Sequence, residues 1–397
     1  MALSNHHQEL DTLGVSVYYL EHVFLNEEVC TADDAKGNRL SRDSTIYEIE
    51  NLQGPNGVIR KKGEDAMCPL DGKKGAAYVH CLQGGDHIGE TTHMLSYVWG
   101  YTIGDIVDTL RDFCQTHNLN PKRTYIWICC LCVNQHRVAA QSALQKSGML
   151  ASDQQADFFD IFGNRVKRIG HVLAMMAPWK APLYLTRIWC IYELFIAHTN
   201  GCKIDIVMPP NEKLALENDV ITRQGGIFLW YDALGKTRVQ NAKASVERDR
   251  LKILEQVESA VGYNKLKNQV NNWLRRWMKH VILRLVEKKQ NTNDETYVNF
   301  CNMIGHIFSS CGEEDAALKI FKTALAICES MLGVDHPFTA STYNQVGLVL
   351  TDKGDYDGAM EMLQKCLMII EAVLGKDHPD TAATYHNIGS VMHKKGD

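Results

Sequence analysis

Hydrophobic and polar positions follow two different periods along this chain, and the change of period divides it. From residue 294 onward apolar positions recur every three or four residues, as in Ala316, Ile320, Ala324 and Ile327 and again in Ala359, Leu363, Leu367 and Ile370. That spacing lines one face of a helix. Between residues 90 and 210 short apolar runs alternate with amphipathic stretches. His93 to Val98, Tyr125 to Cys130, Val172 to Ala177 and Ile204 to Met208 read as buried strands, while Ile103 to Cys114, Phe158 to Ile169 and Thr186 to His198 read as helices. Strands alternating with helices predict an α/β domain with a parallel sheet covered on both faces. In such sheets ligands sit outside the carboxyl ends of the strands, which points to Ser96 to Tyr101, Leu131 to His136 and the start of the third helix.

The helical part is internally repetitive. Gly305, Gly347 and Gly389 are spaced by 42 residues, and Gly333, Asp335, His336 and Pro337 recur as Gly375, Asp377, His378 and Pro379. A Gly-Asp step at Gly354 and Asp355 separates two helices within each unit, and Pro337 and Pro379 fall where a helix begins and a missing N–H costs nothing. Shifted by 42, Gly354 and Asp355 land on Gly396 and Asp397, so the expectation is an array of about two and a half repeats that stops before its last second helix. Tyr343-Asn344-x-x-Gly347, Ala359 and Leu374-Gly375-x-x-His378-Pro379 resemble the tetratricopeptide repeats of kinesin light chains. The resemblance covers residues 294–397 and implies an all-α solenoid that binds a protein partner.

Three segments of the α/β region carry a second resemblance. Leu95-Ser96-Tyr97-Val98-Trp99-Gly100 and the run from Trp127 to Gln135 resemble the two signatures of fungal heterokaryon-incompatibility (HET) domains, relatives of the Toll/interleukin-1 receptor (TIR) fold. Arg187 to Leu194, with its Trp189-Cys190-x-x-Glu193-Leu194, is similar to both families. The resemblance implies a flavodoxin-like domain in which Glu193 is catalytic and NAD is the substrate, with Ser96, Trp99, Gly100, Asn134, Gln135 and Trp189 around it. It also implies self-association to complete the pocket. Trp189 and Glu193 are four apart on one helix and so project from one face, where an indole can hold an aromatic ring before a carboxylate. The alternative is a Glu193 paired with Arg187 and a Trp189 that packs on the sheet, which makes the chain a scaffold or cargo adaptor with an inactive α/β domain.

Composition narrows the setting. With 45% hydrophobic and 22% charged residues the chain reads as a soluble globular protein, and its longest apolar run, Val172 to Trp179, is far shorter than the roughly 20 residues that span a bilayer. The 13 cysteines form no evenly spaced framework, which predicts reduced thiols and a cytoplasmic location. Cys129, Cys130, Cys132 and His136 lack a second ligand pair at zinc spacing, so no metal is expected. Residues 236–290 hold 14 Lys and Arg against 5 Asp and Glu, whereas residues 291–397 hold 7 against 15. The basic segment places Trp273, Leu274, Trp277, Met278, Val281 and Leu285 on one helical face, a connector helix without the aromatic and basic platform that nucleic acid requires. Four segments result: an unassigned 1–89, an α/β domain at 90–210, a basic connector at 211–293 and repeats at 294–397. The stretch from His136 to Ala156 is expected to be a mobile flap over the sheet edge.

Overall fold

The four apolar runs do pair, and two further strands join them. In the computed structural model, which describes residues 12–50, 57–146, 156–222, 239–244, 247–289 and 295–396, six strands form one sheet. They are β1 (Leu13–Ser16), β2 (Ile88–Glu90), β3 (His93–Ser96), β4 (Tyr125–Trp127), β5 (His171–Met175) and β6 (Lys203–Val207), in the order β2-β1-β4-β3-β5-β6. β4, β3, β5 and β6 run parallel, while β1 is antiparallel to both β2 and β4. The sheet is therefore mixed rather than wholly parallel. Strands of three and four residues, one of them containing Gly89, are too short to show a period, which is why the N-terminal pair escapes sequence reading.

Burial explains the parallel part. Met94, Leu95, Ile126, Trp127 and Val172 to Met175 are all buried, as expected where helices cover both faces. The Ala156–Ile169 helix packs with the Ile188–Thr199 helix, which also meets the Glu247–Ala260 helix, and the Ile103–Thr116 helix packs with the Pro210–Thr222 helix. One expected strand is shorter than its apolar run: after Trp127 the chain turns into a single helical turn, Cys129–Cys132, closed by Cys132 N–H donating to the Ile128 carbonyl at 2.8 Å. A helix, Gln135–Lys146, occupies the first half of the expected flap, and residues 147–155 lie outside the described residues.

The chain divides into two units, Met1–Trp273 and Leu274–Asp397. The basic segment holds two helices, Glu247–Ala260 and Tyr263–Lys289, and in the second the buried positions Leu274, Met278, Ile282, Leu285 and Val286 recur at helical spacing. In the second unit five helices follow: Glu295–Ser310, Glu314–Met331, Pro337–Asp352, Tyr356–Leu374 and Pro379–Lys395. Their caps repeat as the sequence does. His336 and His378 accept from the backbone N–H two residues on, at 3.2 Å each, with proline at the first helical turn. Thr339 and Thr381 each donate to the carbonyl of the preceding glycine, Gly333 or Gly375, at 2.8 Å. Gly305 and Gly347 mark close crossings: a Cβ there would lie 2.5 Å from the Phe321 ring or 2.8 Å from Leu363 Cγ.

Candidate functional site

Ser96 is the last residue of β3 and is fully buried. A buried hydroxyl needs partners, and the helix that follows β5 supplies them. The Ser96 hydroxyl donates to the Glu193 carboxylate and lies 2.5 Å from the hydroxyl of Tyr184. Tyr184 stands in the short turn Leu183–Thr186 that leads into the Ile188–Thr199 helix, and its hydroxyl donates to the Cys190 carbonyl at 3.2 Å. Glu193, in the second turn of that helix, is 8% exposed. Burial pushes its carboxyl up to about 8, opposed by the hydrogen bond from Ser96. A carboxyl poised this close to neutrality can serve as proton donor, proton acceptor or, once ionised, a fixed negative charge.

A second group adjoins the first. Trp99 donates its indole N–H to Cys129 Sγ at 3.3 Å, Cys129 Sγ lies 3.6 Å from the Tyr97 hydroxyl, and Cys190 Sγ donates to the Tyr97 carbonyl at 3.5 Å. Cys129 and Cys190 both lie within electrostatic reach of Glu193. Burial pushes the Cys129 thiol up to about 11, so it is a neutral packing group rather than a nucleophile. Tyr101 ties this end of β3 to β5, its hydroxyl donating to the Ala177 carbonyl at 2.9 Å.

The remaining candidates go elsewhere. Asn134 caps the Gln135–Lys146 helix by accepting from His136 N–H at 3.1 Å and donates to the Gly75 carbonyl at 2.9 Å. Gln135 is buried and donates to the carbonyls of Cys129 and Val133. Both brace backbone. Trp189 is partly buried and meets Phe162 and Tyr192 of the core cluster edge-on, with ring centroids at 5.9 and 6.0 Å. Gly100 faces open space apart from Val98 at 3.9 Å. Thus Ser96 and Glu193 meet, Trp99 stands nearby through Cys129, and Trp189 keeps aromatic company. Tyr97, Tyr184 and Cys190 belong to the site without having been singled out in the sequence, where only their place within or next to the motif segments marks them. Among the described residues no group of three or more His, Cys, Asp and Glu is arranged to hold a metal ion, and no helix is long and apolar enough to cross a membrane.

An α/β unit with a buried carboxyl at its strand ends is thus followed by a unit of paired helices, and the comparisons speak to the second. The tetratricopeptide-repeat family matches residues 296–369 and 338–397. No curated protein matches the chain. Among solved structures, BtubC (BKLC) from P. vanneervenii is similar at 20% identity, covering 47% of this chain and 80% of its own, with a TM-score of 0.28. The nearly identical TPR-like repeats of a Podosopora anserina protein described as a putative kinesin light chain are similar at 15% identity over 47% of this chain and 86% of their own, again with a TM-score of 0.28. The C-terminal helices are tetratricopeptide repeats, a module that mediates protein–protein interaction.

Proposed function

We propose that the chain is a cytoplasmic signalling scaffold in which a TIR/HET-like α/β domain, joined through a basic helical connector, is coupled to a partner-binding tetratricopeptide array, and that the α/β domain cleaves NAD. The four-segment division at residues 89, 210 and 293 belongs to the same reading. The order of the parallel strands, second, first, third, fourth in sequence, is that of doubly wound flavodoxin-like sheets and supports the fold assignment. The observation that carries the activity is the Ser96–Glu193 pair at the carboxyl end of β3.

In the proposed reaction water replaces nicotinamide at the ribose carbon. The bond to the ring nitrogen breaks, the new bond to oxygen forms, and the water's proton is released. Ionised Glu193 stabilises the positive charge that develops on the ribose. Self-association of the α/β domain completes the pocket. Nicotinamide release by wild type and Glu193→Gln, measured at several protein concentrations, tests the reading. Loss of release in the variant and a specific activity that falls on dilution are expected; equal release by both proteins removes Glu193 from the mechanism. A second reading, a kinesin-light-chain-like adaptor with an inactive domain, is favoured by the small exposure of Glu193, and absence of release from an assembled wild type selects it.

A further inference from the structure

We propose that Tyr47 and Trp99 form a ledge that binds the planar base of a nucleotide at the carboxyl end of the parallel strands. The ledge rests on the nucleotide-cleaving reading and deepens it by naming how the base is held, adding Tyr47, which lies outside the motif segments, to Trp99, which lies within one. Ile46 and Ile49 are buried and pin the short Ile46–Ile49 helix, leaving Tyr47 between them 46% exposed. The turn is rigidly capped: Thr45 accepts from Glu48 N–H, and Glu48 accepts in return from Thr45 N–H at 2.6 Å.

The preceding residues fix this turn against the loop after β3. Ile103 N–H donates to the Ser44 carbonyl at 2.9 Å, Thr45 bridges Thr102, and a Cβ on Gly104 would meet the Arg42 carbonyl at 2.8 Å. Tyr47 is thereby brought to Trp99, ring centroids 5.6 Å apart and tilted by 57°.

That geometry suits a ligand lying on the pair rather than between its members, because two rings this close leave no room for a third. Trp99 is held by its indole N–H on Cys129 Sγ, and Cys129 is within electrostatic reach of Glu193, so the ledge and the carboxyl belong to one neighbourhood. Gly100, with open space about it, lets a ligand approach the backbone beside the rings. Among the described residues of the first unit the large exposed apolar side chains are Tyr47, Met67, Leu183, Leu214 and Leu251, and Tyr47 alone is aromatic. One exposed ring against one half-buried ring fits a single flat heterocycle better than an apolar peptide, which needs a continuous groove.

Calorimetric titration of the full chain with AMP and with NAD tests the ledge. Wild type and Tyr47→Phe should bind both nucleotides alike, Tyr47→Ser about five- to tenfold more weakly, as loss of one aromatic contact predicts, and Leu251→Ser as wild type. Absence of binding at millimolar nucleotide, or equal affinity in Tyr47→Ser and wild type, overturns the proposal. Tyr47-dependent binding without nicotinamide release upholds the ledge and removes the cleavage reading. Nicotinamide release with an unchanged KM for NAD in Tyr47→Ser does the reverse.

Discussion

Ser96 and Glu193, 97 residues apart, share a hydrogen bond at the end of β3, and the protonation of Glu193 decides how protons run through it. With Glu193 neutral, its O–H donates to Ser96, Ser96 donates to Tyr184, and Tyr184 donates to the Cys190 carbonyl, so each proton has an acceptor. With Glu193 ionised, Ser96 donates to the carboxylate and its bond to Tyr184 must reverse, taking the tyrosine proton away from Cys190. Burial favours the first arrangement, and the donation from Ser96 to the carboxylate favours the second.

Stability should therefore respond to pH through Glu193. Its carboxyl is raised from 4.5 in the unfolded chain to about 8 in the folded one, so the folded state holds a proton that the unfolded state releases between those values. The contribution is complete below about pH 4.5, declines as pH rises and is gone above about 8, a span worth on the order of 5 kcal/mol. Glu193→Gln, which stays neutral, should flatten this slope. Thermal melts of the two proteins from pH 5 to 9 check it, and parallel profiles would show that Glu193 does not titrate in this range.

The proposed NAD cleavage should carry the opposite dependence. It needs the ionised form, so release should rise with pH and level off above about 8. In the plateau Glu193→Gln should lose about a hundredfold, or roughly 3 kcal/mol of transition-state stabilisation. Rates measured from pH 6 to 9 decide it. A wild-type profile that is flat, or that falls above pH 7, would contradict a role for the charge.

Much of this architecture is written in local pattern. The 42-residue spacing of Gly305 and Gly347 anticipates close helix crossings, because only glycine admits Phe321 and Leu363 so near. The parallel strands were legible because burial on both faces makes them continuous apolar runs. Other features depend on partners distant in sequence. β1 and β2 are strands chiefly through pairing with each other and with β4. Cys129 to Cys132 have apolar character suited to a strand or a helix, and tertiary packing chose the turn. Ser96 and Glu193 stood out in the sequence as residues, but their hydrogen bond could not be read there, and Tyr47 carries no local signal of its place beside Trp99.

The glycines of the repeat give a prediction with an internal control. A methyl at Gly347 would press on Leu363 Cγ at 2.8 Å, whereas one at Gly389, the equivalent position 42 residues on, meets nothing within 4 Å. Gly347→Ala should destabilise the second unit by about 1–3 kcal/mol through overpacking. Gly389→Ala should be neutral or stabilising by up to about 1 kcal/mol, since alanine is the better helix former. Urea unfolding of both variants compares them directly, and equal losses would mean that Gly347 is packed no more tightly than Gly389.

The same asymmetry sets an order of local opening along the repeats. Tyr343 is 5% exposed and Leu350 6%, while their counterparts Tyr385 and Met392 are 47% and 45% exposed. The Pro337–Asp352 helix buries nine residues, among them Ala340, Val346, Val349 and Leu350, whereas the Pro379–Lys395 helix buries only Thr381, Thr384 and Val391. Both keep the same N-terminal cap, so at that end the difference lies in side-chain packing. Because opening free energy follows the apolar surface that must be exposed, amides of the Pro379–Lys395 helix should exchange faster than those of the Pro337–Asp352 helix. A deficit of several buried side chains corresponds to about 3 kcal/mol or more, a protection difference above a hundredfold at neutral pH. Native-state hydrogen exchange resolves the two helices separately. Equal protection would mean that another surface covers Tyr385 and Met392 in solution, and substituting both by serine would then lower the protection of that helix selectively.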